Sequence, residues 1–330
     1  MRNFCTYFDS YYIAKGLALY SSLDRVLPNF HLYVMAFDKD CYNRLVSLNL
    51  EKMTVEFLED FETPELLAVK PLRSRGEYCW TCGPSVIYHF LTQYNLNDIT
   101  YLDSDLFFLN SPEIVYDEIG NNSVAITEQG LNEKEAKMYG KYCVQYMYFR
   151  NDQIGLDILT WWRDSCIEWC FQKIEPTRYG DQKYLDEFPI RWNNVHVIKN
   201  LGVGIAPWNM NKYKYSDSFL SYEGQRYSFI FFHMHGIKIE VVNEKLRLNS
   251  LHFVFKQTME ELFLMPYAEI VKKILNDYLG YEIKSIELCN MSVYKQLEYR
   301  LRTCLRGFRI IQWIYFGLLK RKNKGHGTKM

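Results

Sequence analysis

The chain carries no surplus of charge. Its 330 residues hold 39 Lys plus Arg against 39 Asp plus Glu, a balance that argues against bulk nucleic-acid binding. Nor is there an apolar signal region ahead of the strand-like start at Phe4, so the expectation is a cytoplasmic protein. The longest apolar run near the end, Ile310 to Leu319, is too short to span a bilayer. The nine cysteines form an odd set with no framework of spacings, which fits reduced thiols better than disulfides. Cys79 with Cys82 and Cys166 with Cys170 could supply four zinc ligands, but both pairs fall in helix-like segments that nothing in the sequence brings together. Internal repeats and low-complexity segments are also missing. Gly202-x-Gly204 lacks the third glycine and the preceding first strand of a dinucleotide fingerprint.

What remains is a globular composition, 48% apolar and 24% charged, in a chain long enough for one large domain with or without an appendage. Strand-like and helix-like segments alternate through the first half. Phe4–Phe8, Phe30–Phe37, Thr54–Leu58 and Ile99–Leu102 read as strands. Tyr12–Leu23, Asp40–Leu48 and Gly76–Tyr94 read as helices, with Gly83-Pro84 starting or kinking the last of these. Strands at Ser123–Thr127, Val144–Phe149, Val195–Ile198 and Ser228–Phe232 follow, with a polar loop up to Gly140 and a helix from Ile154 to about Phe171. Such alternation predicts an α/β fold, a mostly parallel sheet with helices on both faces. In these sheets ligands bind beyond the carboxyl ends of the strands, which is where Asp9, Asp103 and Asp105 would sit. From about Phe253 the pattern turns helical, dividing the chain into a catalytic domain over 1–250 and a helical C-terminal region over 251–330.

Asp103-Ser104-Asp105 closes an apolar strand with two carboxylates, and burying two unpaired charges is costly. Two carboxylates one residue apart suit a hard divalent cation, Mg²⁺ or Mn²⁺. The alternative is a turn whose carboxylates face water. His233 and His235 end a second apolar strand and are followed by Gly236 and Lys238. There an imidazole can complete a metal shell, glycine admits a phosphate close to the backbone, and lysine neutralises it. The plainer alternative is a hydrogen-bonded histidine at a strand end.

These segments together resemble the GT-A-fold, nucleotide-sugar-dependent glycosyltransferases, nearest the bacterial family-8-like enzymes of lipopolysaccharide and capsule synthesis. The resemblance spans about residues 3–240 and lies in Phe8-Asp9-Ser10-Tyr11-Tyr12, Tyr101-Leu102-Asp103-Ser104-Asp105, Gly180-Asp181-Gln182-Lys183 and His233-x-x-Gly236-x-Lys238. It implies a GT-A, Rossmann-like sheet and metal-dependent, retaining transfer of a sugar from a nucleotide diphosphate donor, a UDP-sugar, to an oligosaccharide or lipid-linked acceptor. By the same resemblance Asp103, Asp105 and His233 hold Mn²⁺ or Mg²⁺, and Asp9 and Tyr12 hold the nucleotide base. Ser104, Gly236 and Lys238 lie along the donor diphosphate, while Arg75 and Glu77, with Arg73, approach the nucleotide. Asp181 and Gln182 line the sugar site, with Asp181 as nucleophile or cation-stabilising carboxylate. The chain departs from the family pattern at three places. Cys143-Val144-Gln145 stands near the usual Asn-x-Gly, Lys183 replaces an acidic residue, and the Gly236 to Lys238 spacing is one residue shorter. A metal-dependent nucleotidyltransferase and a non-catalytic GT-A adaptor for glycan or membrane remain as alternatives.

Residues 295–330 carry ten Lys and Arg, from Lys295 to Lys329, against the single acid Glu298, with Leu301, Leu305, Phe308, Trp313 and Phe316 interleaved. A basic amphipathic helix of this kind predicts peripheral contact with anionic lipid on the cytoplasmic face. The alternative is a helix docked on the catalytic domain.

Overall fold

A computed structural model describes residues 1–216, 219–250 and 253–289. Its centre is a seven-stranded sheet of β1 (Arg2–Phe8), β2 (Phe30–Ala36), β3 (Met53–Phe57), β4 (Asp98–Leu102), β6 (Val124–Glu128), β7 (Tyr142–Arg150) and β8 (Val195–Val197), in the order β3-β2-β1-β4-β7-β6-β8. β5 (Leu106–Phe108) lies outside it. The first four sheet strands pair in parallel, as helical crossovers require. β7 runs antiparallel to both β4 and β6, because β6 returns through a loop and a short helix, Glu133–Tyr139, instead of a full crossover. Apolar side chains on the two sides of the sheet form two separate buried cores, as expected for a sheet covered on both faces.

The helical pattern over Gly76–Tyr94 is a helix over Arg75–Gln93. Ser74 accepts a hydrogen bond from the Glu77 N–H while the Glu77 carboxylate accepts from the Ser74 N–H, a reciprocal cap that satisfies two free donors. Pro84 therefore lies inside this helix and does not start it. The helix Ile13–Val26 has a wide apolar face, and Gly16 is what lets it lie against β1. A Cβ there would come within 2.3 Å of the Phe8 ring.

The region after Phe253 is not helical throughout. Met265–Asp277 is a helix that packs against Ile13–Val26, but Ser285–Cys289 is a strand parallel to Lys245–Ser250, in a three-stranded sheet with Ile237–Val242. Alternating apolar residues in so short a strand look much like a helix end. The basic segment 295–330, with its expected membrane contact, lies outside the described residues. No helix among the described residues is long and apolar enough to cross a membrane.

The Gly202-x-Gly204 loop braces the strand Phe231–His233. The Gly202 carbonyl accepts from the Ile230 and Phe231 N–H groups, and a Cβ on Gly202 would fall 1.8 Å from the Ser228 carbonyl oxygen. Backbone cannot yield as a side-chain tip can. Gly202→Ala is therefore expected to destabilise the fold by on the order of 3 kcal/mol. Urea unfolding would show it as a lowered midpoint, and a variant as stable as the wild type would contradict the packing described.

Candidate active site

Backbone pairing builds the site. β4 pairs with β7, and the pairing extends one step past the strand, where the Asp103 N–H donates to the Gln145 carbonyl at 2.9 Å. The chain turns at Ser104, which is buried, and enters β5, whose antiparallel partner is Phe231–His233 with His233 opposite Leu106. The Met234 N–H donates to the Asp105 carbonyl at 2.8 Å, and the His233 N–H to the Ile205 carbonyl at 2.8 Å. Three side chains distant in sequence are thus held together by main-chain bonds.

Ligand-capable atoms of Asp103, Asp105 and His233 all lie within 4.8 Å of one another, the one such group found among the described residues. His233 Nε2 is 2.9 Å from Asp105 Oδ1 and 3.6 Å from Asp103 Oδ2. Its Nδ1 faces the Gln145 side-chain oxygen at 2.7 Å. An amide oxygen only accepts, so Nδ1 carries a hydrogen; at 2.9 Å from Asp105 a hydrogen on Nε2 lies between those two groups as well, and its release frees a lone pair aimed at the carboxylates for a cation. That is the arrangement in which a metal-binding histidine is oriented by an outer partner. Two carboxylates and one imidazole are a fitting donor set for Mn²⁺ and also admit Mg²⁺. The other end of the Gln145 amide, Nε2, is buried without a partner among the described residues, a polar group left for something further to satisfy.

The two aspartates differ. Burial pushes the Asp105 carboxyl up, but Lys15 and His233 outweigh it and hold the group well below the usual carboxylate range. Asp103 ends above that range: burial raises it, His233 opposes, and Asp105 adds to the rise. The Tyr101 hydroxyl donates to Asp103 at 2.8 Å, and the Tyr101 ring stacks on Tyr7. Burial alone would lower the His233 imidazole, yet the neighbouring Asp105 turns the shift upward. Asp181 is buried, and its carboxyl is pushed up to about 7 by burial and by the Asp103 charge. Gly180, at φ +52°, makes the turn that delivers it, and Trp162 fixes the backbone by donating to the Asp181 carbonyl at 2.9 Å.

The other expected residues are placed as follows. Asp9 follows β1, accepts from the Tyr11 and Tyr12 N–H groups, and pairs with Arg75 at 2.7 Å. Arg75 also reaches Asp38 at 3.3 Å. Tyr12 is partly exposed at the helix start. Gln182 donates to the Gln129 side chain and the Tyr139 carbonyl, tying it to the loop before β7. Lys183, the departure from the family pattern, turns away and donates to the carbonyls of Lys137, Met138 and Glu175. Gly236 takes φ +71° in the turn after His233. Glu77 gives its carboxylate to the helix cap and to the Gln172 N–H. Lys238 is exposed on the edge of the small sheet and paired with Glu240 at 2.6 Å, so it does not join the buried cluster.

Two residues in or beside the site are missed by the sequence motifs. Lys15 is buried, with Nζ 3.2 Å from Asp105 Oδ2 and 4.5 Å from the centre of the Tyr12 ring. A signal exists: Lys15 is the one charge in the run Ile13-Ala14-Lys15-Gly16-Leu17-Ala18-Leu19, and a lone charge on a buried helix face needs a partner. Tyr267, from the helix Met265–Asp277, lies edge-on to Phe107 with its buried hydroxyl unpartnered among the described residues. Nothing local in the sequence marks it.

No family model matches the chain. It is similar to two uncharacterized proteins of Bacillus subtilis (strain 168). YfnD is 27% identical over 285 residues, covering 83% of this chain and 90% of the relative. YfnF is 27% identical over 279 residues, covering 78% and 92%. Among solved structures it is similar to the galactosyltransferase LgtC in complex with donor and acceptor sugar analogues, with a TM-score of 0.51 and 14% identity over 82% of this chain and 95% of that one. At that identity the likeness is one of fold, and the GT-A fold implied by the motifs is the fold observed.

Proposed function

We propose that the protein is a metal-dependent glycosyltransferase that moves a sugar from a nucleotide diphosphate donor, a UDP-sugar, to an oligosaccharide or lipid-linked glycan. The observation that carries this reading is the convergence of Asp103, Asp105 and His233 at the ligand edge of a GT-A sheet. Asp103, Asp105 and the Nε2 atom of His233 would hold Mn²⁺ or Mg²⁺, which as a Lewis acid stabilises charge on a leaving diphosphate. Gln145 keeps the imidazole in the tautomer that binding needs. Asp9, braced by Arg75, and the exposed edge of Tyr12 form the wall for a nucleotide base. With Asp103 beside it, Asp181 is our choice for the carboxylate that stabilises positive charge at the anomeric carbon, with retention of configuration.

A lipid-linked acceptor and peripheral attachment at the cytoplasmic face of an anionic membrane are supported by the basic, aromatic segment 295–330 alone. Product analysis tests the reaction class. Incubation with a panel of UDP- and GDP-sugars and Mn²⁺ is expected to release free nucleoside diphosphate. Pyrophosphate released from a nucleoside triphosphate would mean a nucleotidyltransferase instead. No turnover of any donor or triphosphate would favour a non-catalytic adaptor.

A further inference from the structure

We propose that Lys15 is a built-in cation of the donor site, paired with Asp105 in the resting protein and directed at the diphosphate of a bound nucleotide. The inference rests on the glycosyltransferase reading, in that it takes a nucleoside diphosphate as the ligand.

Asp105 is approached from two sides. His233 Nε2 faces Oδ1, while Lys15 Nζ faces Oδ2. A divalent cation shared by Asp103, Asp105 and His233 belongs on the Oδ1 side, so it does not displace Lys15. With His233 neutral as a ligand, two carboxylates, one ammonium and a divalent cation sum to a net charge of plus one, and without Lys15 the sum would be zero. That surplus is what a diphosphate anion meets at short range, where low local dielectric makes it strong.

Position supports the same assignment. Lys15 Nζ lies between Asp105 and the ring of Tyr12. A nucleotide whose base lies against Tyr12 and whose phosphates reach the carboxylates must run its diphosphate past this ammonium. The Tyr267 hydroxyl is buried without a partner among the described residues, and its electrostatic neighbours are Asp105 and Tyr12. It would add a neutral donor beside Lys15. Lys238, the residue that the family pattern would offer a phosphate, is exposed and held by Glu240.

Lys15→Gln removes the charge and keeps a hydrogen-bond donor for Asp105. At saturating Mn²⁺, calorimetric titration of this variant is expected to show UDP weakened by about tenfold or more, the worth of one charge-assisted bond. UMP, which lacks the second phosphate, is expected to weaken by less than about threefold. Mn²⁺ alone, followed by electron paramagnetic resonance, should bind at least as tightly as in the wild type. Equal weakening of UDP and UMP, no weakening of either, or a parallel loss of Mn²⁺ would make Lys15 a structural counter-ion and overturn the proposal. A wild-type protein that binds neither nucleotide would instead sink the glycosyltransferase reading. Should Lys15→Gln fail to fold, the wild type is treated with UDP bearing a terminal aldehyde and then borohydride. Labelling of Lys15 that excess UDP prevents is expected, and labelling of Lys238 without Lys15 would overturn it.

Discussion

Asp105→Asn is expected to cost both cation affinity and stability, whereas Asp103→Asn is expected to cost the first alone. Removing the Asp105 charge leaves the Lys15 ammonium buried with no counter-ion, a situation worth about 3–5 kcal/mol of destabilisation. Asp103 is in a different position. Its side chain is 28% exposed, its ionisation is disfavoured by burial and by Asp105, and the Tyr101 hydroxyl can donate equally well to an amide oxygen. Its replacement relieves repulsion, and unfolding in the presence of a chelator should show no loss. Each variant removes a proposed direct ligand, so Mn²⁺ affinity should fall in both by more than the ~100-fold that loss of a supporting residue costs a metal site. Equal stability loss in the two variants would contradict the charge distribution described, and unchanged Mn²⁺ binding in both would contradict the site itself.

Asp181→Asn should make the protein more stable at alkaline pH while abolishing most of the proposed transfer activity. The folded-state carboxyl titrates near 7, against roughly 3.9 in an unfolded chain. Between those values the folded protein holds a proton that the unfolded chain has released, so stability falls as pH rises from about 4 to about 7 and then levels. The asparagine variant lacks this slope. In chelator, its advantage at pH 8 is expected to be on the order of 2–4 kcal/mol and to vanish near pH 4. Activity should drop at least 100-fold, the scale of losing one electrostatic partner of the reacting centre. Thermal melts across pH and donor turnover measure the two effects. A variant less stable than wild type at pH 8 would mean that Asp181 is ionised and paired in the folded protein.

The strands that begin the fold are legible because each is a short apolar run ended by polar residues, and their alternation with helices indicates the class. The motif order then points to the GT-A fold. Strand direction is less accessible: β7 carries the same apolar pattern whether parallel or antiparallel, and only its connection to β6 decides. β5, three residues long, is too short to hold a period, yet it is the strand that brings His233 to Asp105. A motif suggests that those two residues meet, but no local pattern requires it. Lys15 is visible as a charge in an apolar helix, without any indication that its partner lies just past the end of β4. Lys238 and Glu77 show the converse: residue type and spacing mark them, while local partners, Glu240 and the Ser74 cap, claim their charges.

Calorimetric titration of the wild-type protein with UDP, in Mn²⁺ and in chelator, tests the central claim most directly. The account predicts binding that is at least tenfold tighter with the ion present, since a divalent cation held by Asp103, Asp105 and a neutral His233 beside Lys15 makes the cluster net positive. Equal UDP affinity with and without Mn²⁺ would contradict it.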